Sequence, residues 1–425
     1  MSQKMTVLAT ATLAATLAVP AQAGNLPSRE EMWNIILQQQ RQMEQLQRQH
    51  QETMDHQQMQ LDVLKKQLGQ TKVQVKAVEQ SSKQSTSSGS TATADKWTDR
   101  ITIGGQVRVQ ASTTENNGSS GISKLEDGSN VKVRLVELDI DTKINEWVTT
   151  STALTYEHDG STAFNVDTAT VTVGNMDKFP VTLTMGKMTL PFGSYASSAI
   201  ADPLTKELGE IGDTAAVVNF EMRGFTADFY LFNGDSQKNG DTNAIDQFGG
   251  NVGYSHTGKT YTASMGLHFV NSVENSGGIS TAISAIDSMT DMADYSSAWG
   301  VNASVTWRNL TFLGEYVQLL DPIASSTTDT DWNNTNLRPS AWHGEISYSM
   351  PILDKQTNFA ISYSGSDASK AVGLVSRRLA LHANVDVIDN TTVQMEWSRD
   401  FDYEATEGGS GNDADTATLR LKVSF

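Results

Sequence analysis

Apolar and polar residues alternate one by one at the end of the chain. In "TLRLKVSF" (418–425), Leu419, Leu421, Val423 and Phe425 fall on one face and Arg420, Lys422 and Ser424 on the other. Successive side chains of a strand point to opposite faces, so this stretch predicts a strand with one oily and one cationic side. The same period recurs in sixteen segments: 101–111, 132–143, 148–158, 166–175, 181–188, 214–221, 225–233, 247–256, 260–270, 297–307, 310–318, 340–350, 356–364, 376–386, 391–401 and 416–425. A tilted strand crosses a bilayer in about 9–11 residues, which is the scale of these segments.

The links between the segments alternate without exception. Asn145–Trp147, Met176–Pro180, Met222–Gly224, Thr257–Lys259, Arg308–Asn309, Pro351–Lys355 and Val387–Asn390 are short. Those at 112–131, 159–165, 189–213, 234–246, 271–296, 319–339, 365–375 and 402–415 are longer. Short turns on one side and long loops on the other are what an up-and-down barrel in an outer membrane requires, together with an even strand count. The expected fold is therefore an all-β transmembrane barrel of sixteen antiparallel strands over 97–425.

The two faces fit that expectation. Ala303, Val305, Trp307, Leu310, Phe312, Tyr316, Trp342, Ile346, Tyr348, Phe359, Ile361 and Tyr363 are placed toward lipid, with aromatics near strand ends as interfacial girdles require. The opposite face carries Arg108, Glu137, Asp139, Asp141, Glu157, Asp228, Glu315, Glu345, Arg378, Asp386, Glu396, Arg420 and Lys422. These are the expected lumen-lining residues. Acids outnumber bases among them, an arrangement that favours cations over simple anions. A terminal aromatic also resembles the recognition signal of outer-membrane proteins.

Ahead of the barrel, the period changes. Ile36, Met43 and His50 are spaced by seven, as are Met54, Leu61, Leu68 and Val75, with a four-residue stutter between the two series. This predicts a coiled-coil helix within 24–80, about 75 Å long at 1.5 Å per residue and expected in the periplasm. Through it the barrels would trimerise, or touch the cell wall. A solvated helix or a plain tether fits the same residues. A polar Ser/Thr-rich linker (81–96) follows it. Residues 1–23 read as a signal peptide: Lys4, the apolar run 5–19, then Pro20 and "AQA".

Composition narrows the chemistry. The 425 residues carry 31 Lys+Arg against 49 Asp+Glu, a formal charge of −18, which argues against nucleic acid as a partner. The absence of cysteine removes disulfides and thiolate chemistry. No nucleophile–base constellation or phosphate loop is present, so neither an enzyme nor a cofactor site is expected. His268, His343 and His382 share the inward face and would ligate a metal only if they lay at one height.

A sixteen-strand barrel leaves an aqueous lumen. The link 190–213, "LPFGSYASSAIADPLTKELGEIGD", is the candidate to narrow it. Asp202 suits a helix cap, Pro203 its first turn and Gly209 its end. Asp202, Lys206, Glu207, Glu210 and Asp213 would then stand at the pore constriction.

"WTDRITIGGQV" (97–107), "GKMTLPFG" (186–193) and "DPLTKELGE" (202–210), with the order of helix, linker and barrel, resemble the LbtU-type siderophore porins. The resemblance spans essentially the whole chain after residue 23. It implies import of ferric siderophores across the outer membrane, in contact with outer-membrane lipid. With too few residues for twenty-two strands, the chain does not fit an ordinary TonB-dependent receptor. A general diffusion porin for small solutes and an envelope-tethering protein are the competing expectations.

Overall fold

A computed structural model describes residues 97–117, 128–158, 164–238, 245–286, 294–323 and 338–425. The expected signal peptide, coiled coil and linker lie outside the described residues.

The strands are β1 (Ile101–Asn117), β2 (Gly128–Lys143), β3 (Val148–Glu157), β4 (Asn165–Gly174), β5 (Val181–Thr189), β6 (Gly212–Met222), β7 (Phe225–Phe232) and β8 (Gln247–Thr257). They continue as β9 (Tyr261–Val270), β10 (Ala298–Trp307), β11 (Leu310–Leu319), β12 (Ser340–Ile352), β13 (Lys355–Asp367), β14 (Arg377–Ile388), β15 (Thr391–Phe401) and β16 (Asp413–Ser424). Each pairs with its sequence neighbours, and β16 pairs with β1, closing the barrel. All sixteen expected segments are strands, most with ends displaced by one to a few residues.

Closure explains the last residue. Gly105 and Phe425 exchange backbone hydrogen bonds of 3.0 and 3.1 Å beyond the end of β16. A Cβ on Gly105 would lie 2.7 Å from the Phe425 ring and 2.3 Å from the Glu137 carbonyl, so only glycine lets the terminal ring settle there.

The short turns follow backbone chemistry. Arg223 and Gly224 both have positive φ, at 52° and 86°, as do Leu353 and Asp354, at 50° and 62°. Two left-handed residues in a two-residue link give the turn whose twist suits a hairpin.

The register groups like residues on each face. Tyr316 pairs with Trp342, Ile346 with Ile361 and Tyr348 with Phe359, all on the outer surface. Arg108 pairs with Lys422, Glu315 with His343 and His382 with Glu396 on the inner one.

Two long links re-enter the barrel and carry short helices, α1 (Leu204–Gly209) and α2 (Gly277–Ile286). Leu190, Phe192, Leu204, Leu208, Ile211, Val273, Ile279 and Ile283 are buried against inward residues of the wall, among them Val217, Tyr230, Phe232, Val270 and Val317. Val372 and Leu374, from the link after β13, join the same cluster. A Cβ on Gly278 would sit 2.6 Å from the Glu207 carbonyl, so glycine at the start of α2 permits its approach to α1.

Candidate functional site

The first inserted segment is held by charge. Glu315 accepts from the Ser194 N–H at 2.6 Å, the Tyr195 N–H at 3.1 Å and the Thr205 hydroxyl at 2.9 Å. Glu345 accepts from the Ser198 N–H at 3.1 Å and from the hydroxyls of Ser197 and Ser198 at 2.8 and 2.7 Å. Glu396 accepts from the Ile200 N–H and, at 3.0 Å, from the Ala201 N–H. These carboxylates stand on β11, β12 and β15, so residues 194–201 run along the inner wall as an extended strap. Asn251 donates to the Pro191 carbonyl at 2.9 Å, and Asn384 to that of Ser198 at 3.2 Å. An extended segment that leaves the sheet has N–H groups without ladder partners, and charged acceptors satisfy them more strongly than neutral ones.

α1 follows the strap. Arg378 of β14 bonds the Asp202 carbonyl at 2.8 Å, Glu207 at 2.7 Å and Asp400 at 2.7 Å. Leu204 and Leu208 point into the core. The expected cap differs: Pro203 occupies the cap position with no side-chain bond, and Asp202 instead pairs with Lys206 at 3.0 Å. Proline lacks an N–H and presets φ, so the turn starts without a carboxylate. Lys206 also lies 3.7 Å from Glu210. Burial opposes the Lys206 charge, but Asp202 and Glu210 outweigh it and raise its pKa. Burial also holds the Glu210 carboxyl above its usual range. Asp213, expected beside these residues, starts β6 and accepts from Asn275 of the second inserted segment at 2.7 Å.

The opposite wall is built differently. Gln106 donates to Glu137 at 2.7 Å, and Arg108 Nε donates to Gln106 at 2.9 Å. Arg420 reaches the Gln110 carbonyl through Nε at 3.1 Å and Nη2 at 2.8 Å. Asp141 accepts from Ser151 at 2.6 Å, and Asp139 feels Glu137 and Asp141 beside it. Inward residues of β1 to β5 are mostly half-exposed, whereas those at the loop end of β7 to β12 are buried. α1 packs on β11, β12 and β13. Its polar residues lie within electrostatic reach of the other side: Lys206 of Glu157, and Glu210 of Asp167.

The acids on the lumen face were legible in the sequence, but their use was not. Glu315, Glu345 and Glu396 bind the strap, and Asp400 and Glu207 bind Arg378. The second inserted segment was also missed. Its signal was present: Ile279, Ala282, Ile283 and Ile286 follow helical spacing inside a long link. His268 meets Asn302 at 2.6 Å and the Phe192 ring edge-on. His343 Nδ1 meets Ser364 at 2.8 Å. Among the described residues no group of His, Asp and Glu is arranged to hold a metal ion.

A closed sixteen-strand antiparallel barrel with an inserted third loop is the channel fold of outer-membrane porins. Similar solved structures are the outer-membrane channel DcaP of Acinetobacter baumannii (12% identity, TM-score 0.52, covering 76% of this chain and 97% of that one) and the anion-selective porin of Comamonas acidovorans (11%, 0.53, 76% and 99%). Pseudomonas putida OprB is a third (10%, 0.51, 77% and 95%). At such identities the likeness is one of fold. No protein-family model matches the chain. In sequence it is 27% identical to a UPF0422 protein of Coxiella burnetii, over 68% of this chain and 63% of the relative. It is 24% identical to a UPF0422 protein of Legionella pneumophila strain Lens, over 68% and 60%. The chain thus spans about 60% of the length of the curated relatives it matches.

Proposed function

We propose that the protein is an outer-membrane channel for small polar solutes, constricted by the strap and α1. The observation that carries this reading is the asymmetric filling of the barrel. α1 and the strap take the side of β11 to β15, and the half-exposed wall of β1 to β5 lines what remains. The passage then runs between Asp202, Lys206, Glu207 and Glu210 on one side and Arg108, Glu137, Asp139, Asp141, Arg420 and Lys422 on the other. Glu315, Glu345 and Glu396 support the constriction from behind.

Ferric siderophores are the cargo that the sequence resemblance implies. Two of its three motifs, 186–193 and 202–210, cover the root of the strap and α1. A general diffusion porin needs the same barrel and the same constriction, and the two readings part on selectivity. Import of labelled ferric siderophore by proteoliposomes, with neutral sugars of similar mass excluded, supports the first; equal entry of both supports the second. The constriction itself is tested by deleting 195–210 and measuring single-channel conductance in planar bilayers. A rise of several-fold is expected, and an unchanged conductance refutes it.

A further inference from the structure

The lumen was expected to favour cations because acids outnumber bases on its face. The acids of the packed side, however, are engaged. Glu315, Glu345 and Glu396 each accept hydrogen bonds from the strap, while Glu207 and Asp400 are paired with Arg378. Asp228 accepts from Asn219 at 2.6 Å and from Asn251 at 2.8 Å. Protein groups therefore occupy the oxygens of these acids, and a count of side chains on that face overstates how many carboxylates can contact a solute.

Three cations are placed in the opposite way. Arg108 and Lys422 are register partners on β1 and β16, and Arg420 pairs with Gln110 one inward position further along. None of the three forms an ion pair among the described residues. Each arginine is fixed instead by a neutral amide: Arg108 through Nε on Gln106, leaving both terminal nitrogens, and Arg420 through Nε and Nη2 on Gln110, leaving Nη1. Arg420 is only 8% exposed. It feels Arg108 and Arg134 as like charges. The opposing charges that reach it, Glu396 and Asp202, lie beyond ion-pair distance, and Glu396 already accepts from the strap.

Clustering like charges without counterions is unfavourable, and burial makes it more so. The nearest acid of β2, Glu137, is the register partner of Gln106 and meets Arg108 only through that neutral amide, while Asp139 and Asp141 lie further along. Oriented guanidinium groups with free N–H edges match the two-oxygen edge of a carboxylate or phosphate. We propose that Arg108, Arg420 and Lys422 form a binding site for a polyvalent oxyanion on its way through the lumen, so that the preferred solutes are anionic. This rests on the channel reading above and names its substrate class.

The test uses the full-length protein in two assays. In planar bilayers under a KCl gradient, the reversal potential should show chloride preferred over potassium. The preference should fall several-fold in Arg108→Gln/Arg420→Gln, persist in Arg108→Lys/Arg420→Lys, and be untouched by Lys178→Gln at a short turn. In detergent, calorimetric titration with citrate and, separately, pyrophosphate should show saturable binding that Arg108→Gln/Arg420→Gln weakens at least tenfold. A tighter citrate isotherm assigns a carboxylate solute, and a tighter pyrophosphate isotherm a phosphate. A conducting pore with no chloride preference and no binding overturns the site and leaves the channel standing. Binding without conductance keeps the site and removes the channel; neither conductance nor binding removes both.

Discussion

The inner wall divides into two arcs that obey different rules. From β6 to β12 the inward positions near the long loops are closed: Tyr230, Phe232, Val270, Val317 and Leu319 have at most 1% exposure, and the polar Gln247, Glu315 and Glu345 among them are buried too. From β1 through β5 the inward positions are mainly polar, Gln, Arg, Ser, Thr, Glu and Asp among them, and most remain half-exposed, while β16 adds the buried Arg420 and the half-exposed Lys422. The outer face is hydrocarbon on both arcs. The first arc therefore behaves like a water-soluble core that happens to be curved, with two inserted segments as its filling. The second behaves like the wall of a channel. One barrel houses both because alternation fixes only which face a residue takes, not what covers that face.

The largest effect is expected where the two arcs are kept apart. The strap hangs on three carboxylates. A hydrogen bond to a charged group contributes about 1.5–3 kcal/mol against about 1 kcal/mol for a neutral one, so Glu315→Gln/Glu345→Gln/Glu396→Gln should weaken its attachment by roughly 3–5 kcal/mol in total. The variant should show frequent conductance steps and protease cleavage within 194–201, with the barrel otherwise intact. Steady conductance and wild-type protection would mean that Phe192, Leu204 and Leu208 alone hold the strap.

Comparable in size is the effect of the packing itself. Phe192 is fully buried under the strap and against His268. Phe192→Ala removes a buried aromatic at a typical cost of about 3–5 kcal/mol. Thr170→Ala, on the half-exposed inward face of β4, should stay within about 0.5 kcal/mol. Denaturant titrations in the same detergent compare the two directly. Similar losses would show that the arcs are equally packed.

How much of this contrast was legible follows from the period of each signal. Strand number, facing and closure repeat every second residue over long stretches, so they stood out in the sequence. Glu315, Glu345 and Glu396 were placed inward by that alternation, but nothing local distinguishes a carboxylate facing water from one facing a strap that lies more than a hundred residues away. The packed arc did leave a trace. In "FYLF" (229–232) both faces are apolar, and a strand with two oily faces must be covered on both. α1 was anticipated from Pro203 and Gly209, and the wrong cap came from treating Asp202 as a helix start rather than as the acid that faces Lys206.

The smallest predicted effect lies in the second inserted segment, at Glu274. Its carboxylate is wholly buried and accepts from the Ser272 hydroxyl at 2.7 Å and from the Ser296 N–H. Burial raises its pKa, and the bonds from Ser272 and Ser296 offset this only in part. An acid whose folded pKa is raised favours the fold while protonated, and that contribution is lost as pH rises from the unfolded value, about 4.3, through the folded one. Glu274→Gln keeps the shape and removes the charge. It should match the wild type at pH 4 and be the more stable of the two at pH 8, because only the wild type then has a carboxyl that ionises more readily unfolded than folded. Denaturation midpoints at the two pH values measure this. A variant less stable than the wild type at pH 8 would show that the two donors need the ionised carboxylate, and that the packed arc, like the open one, holds a charge for its own sake.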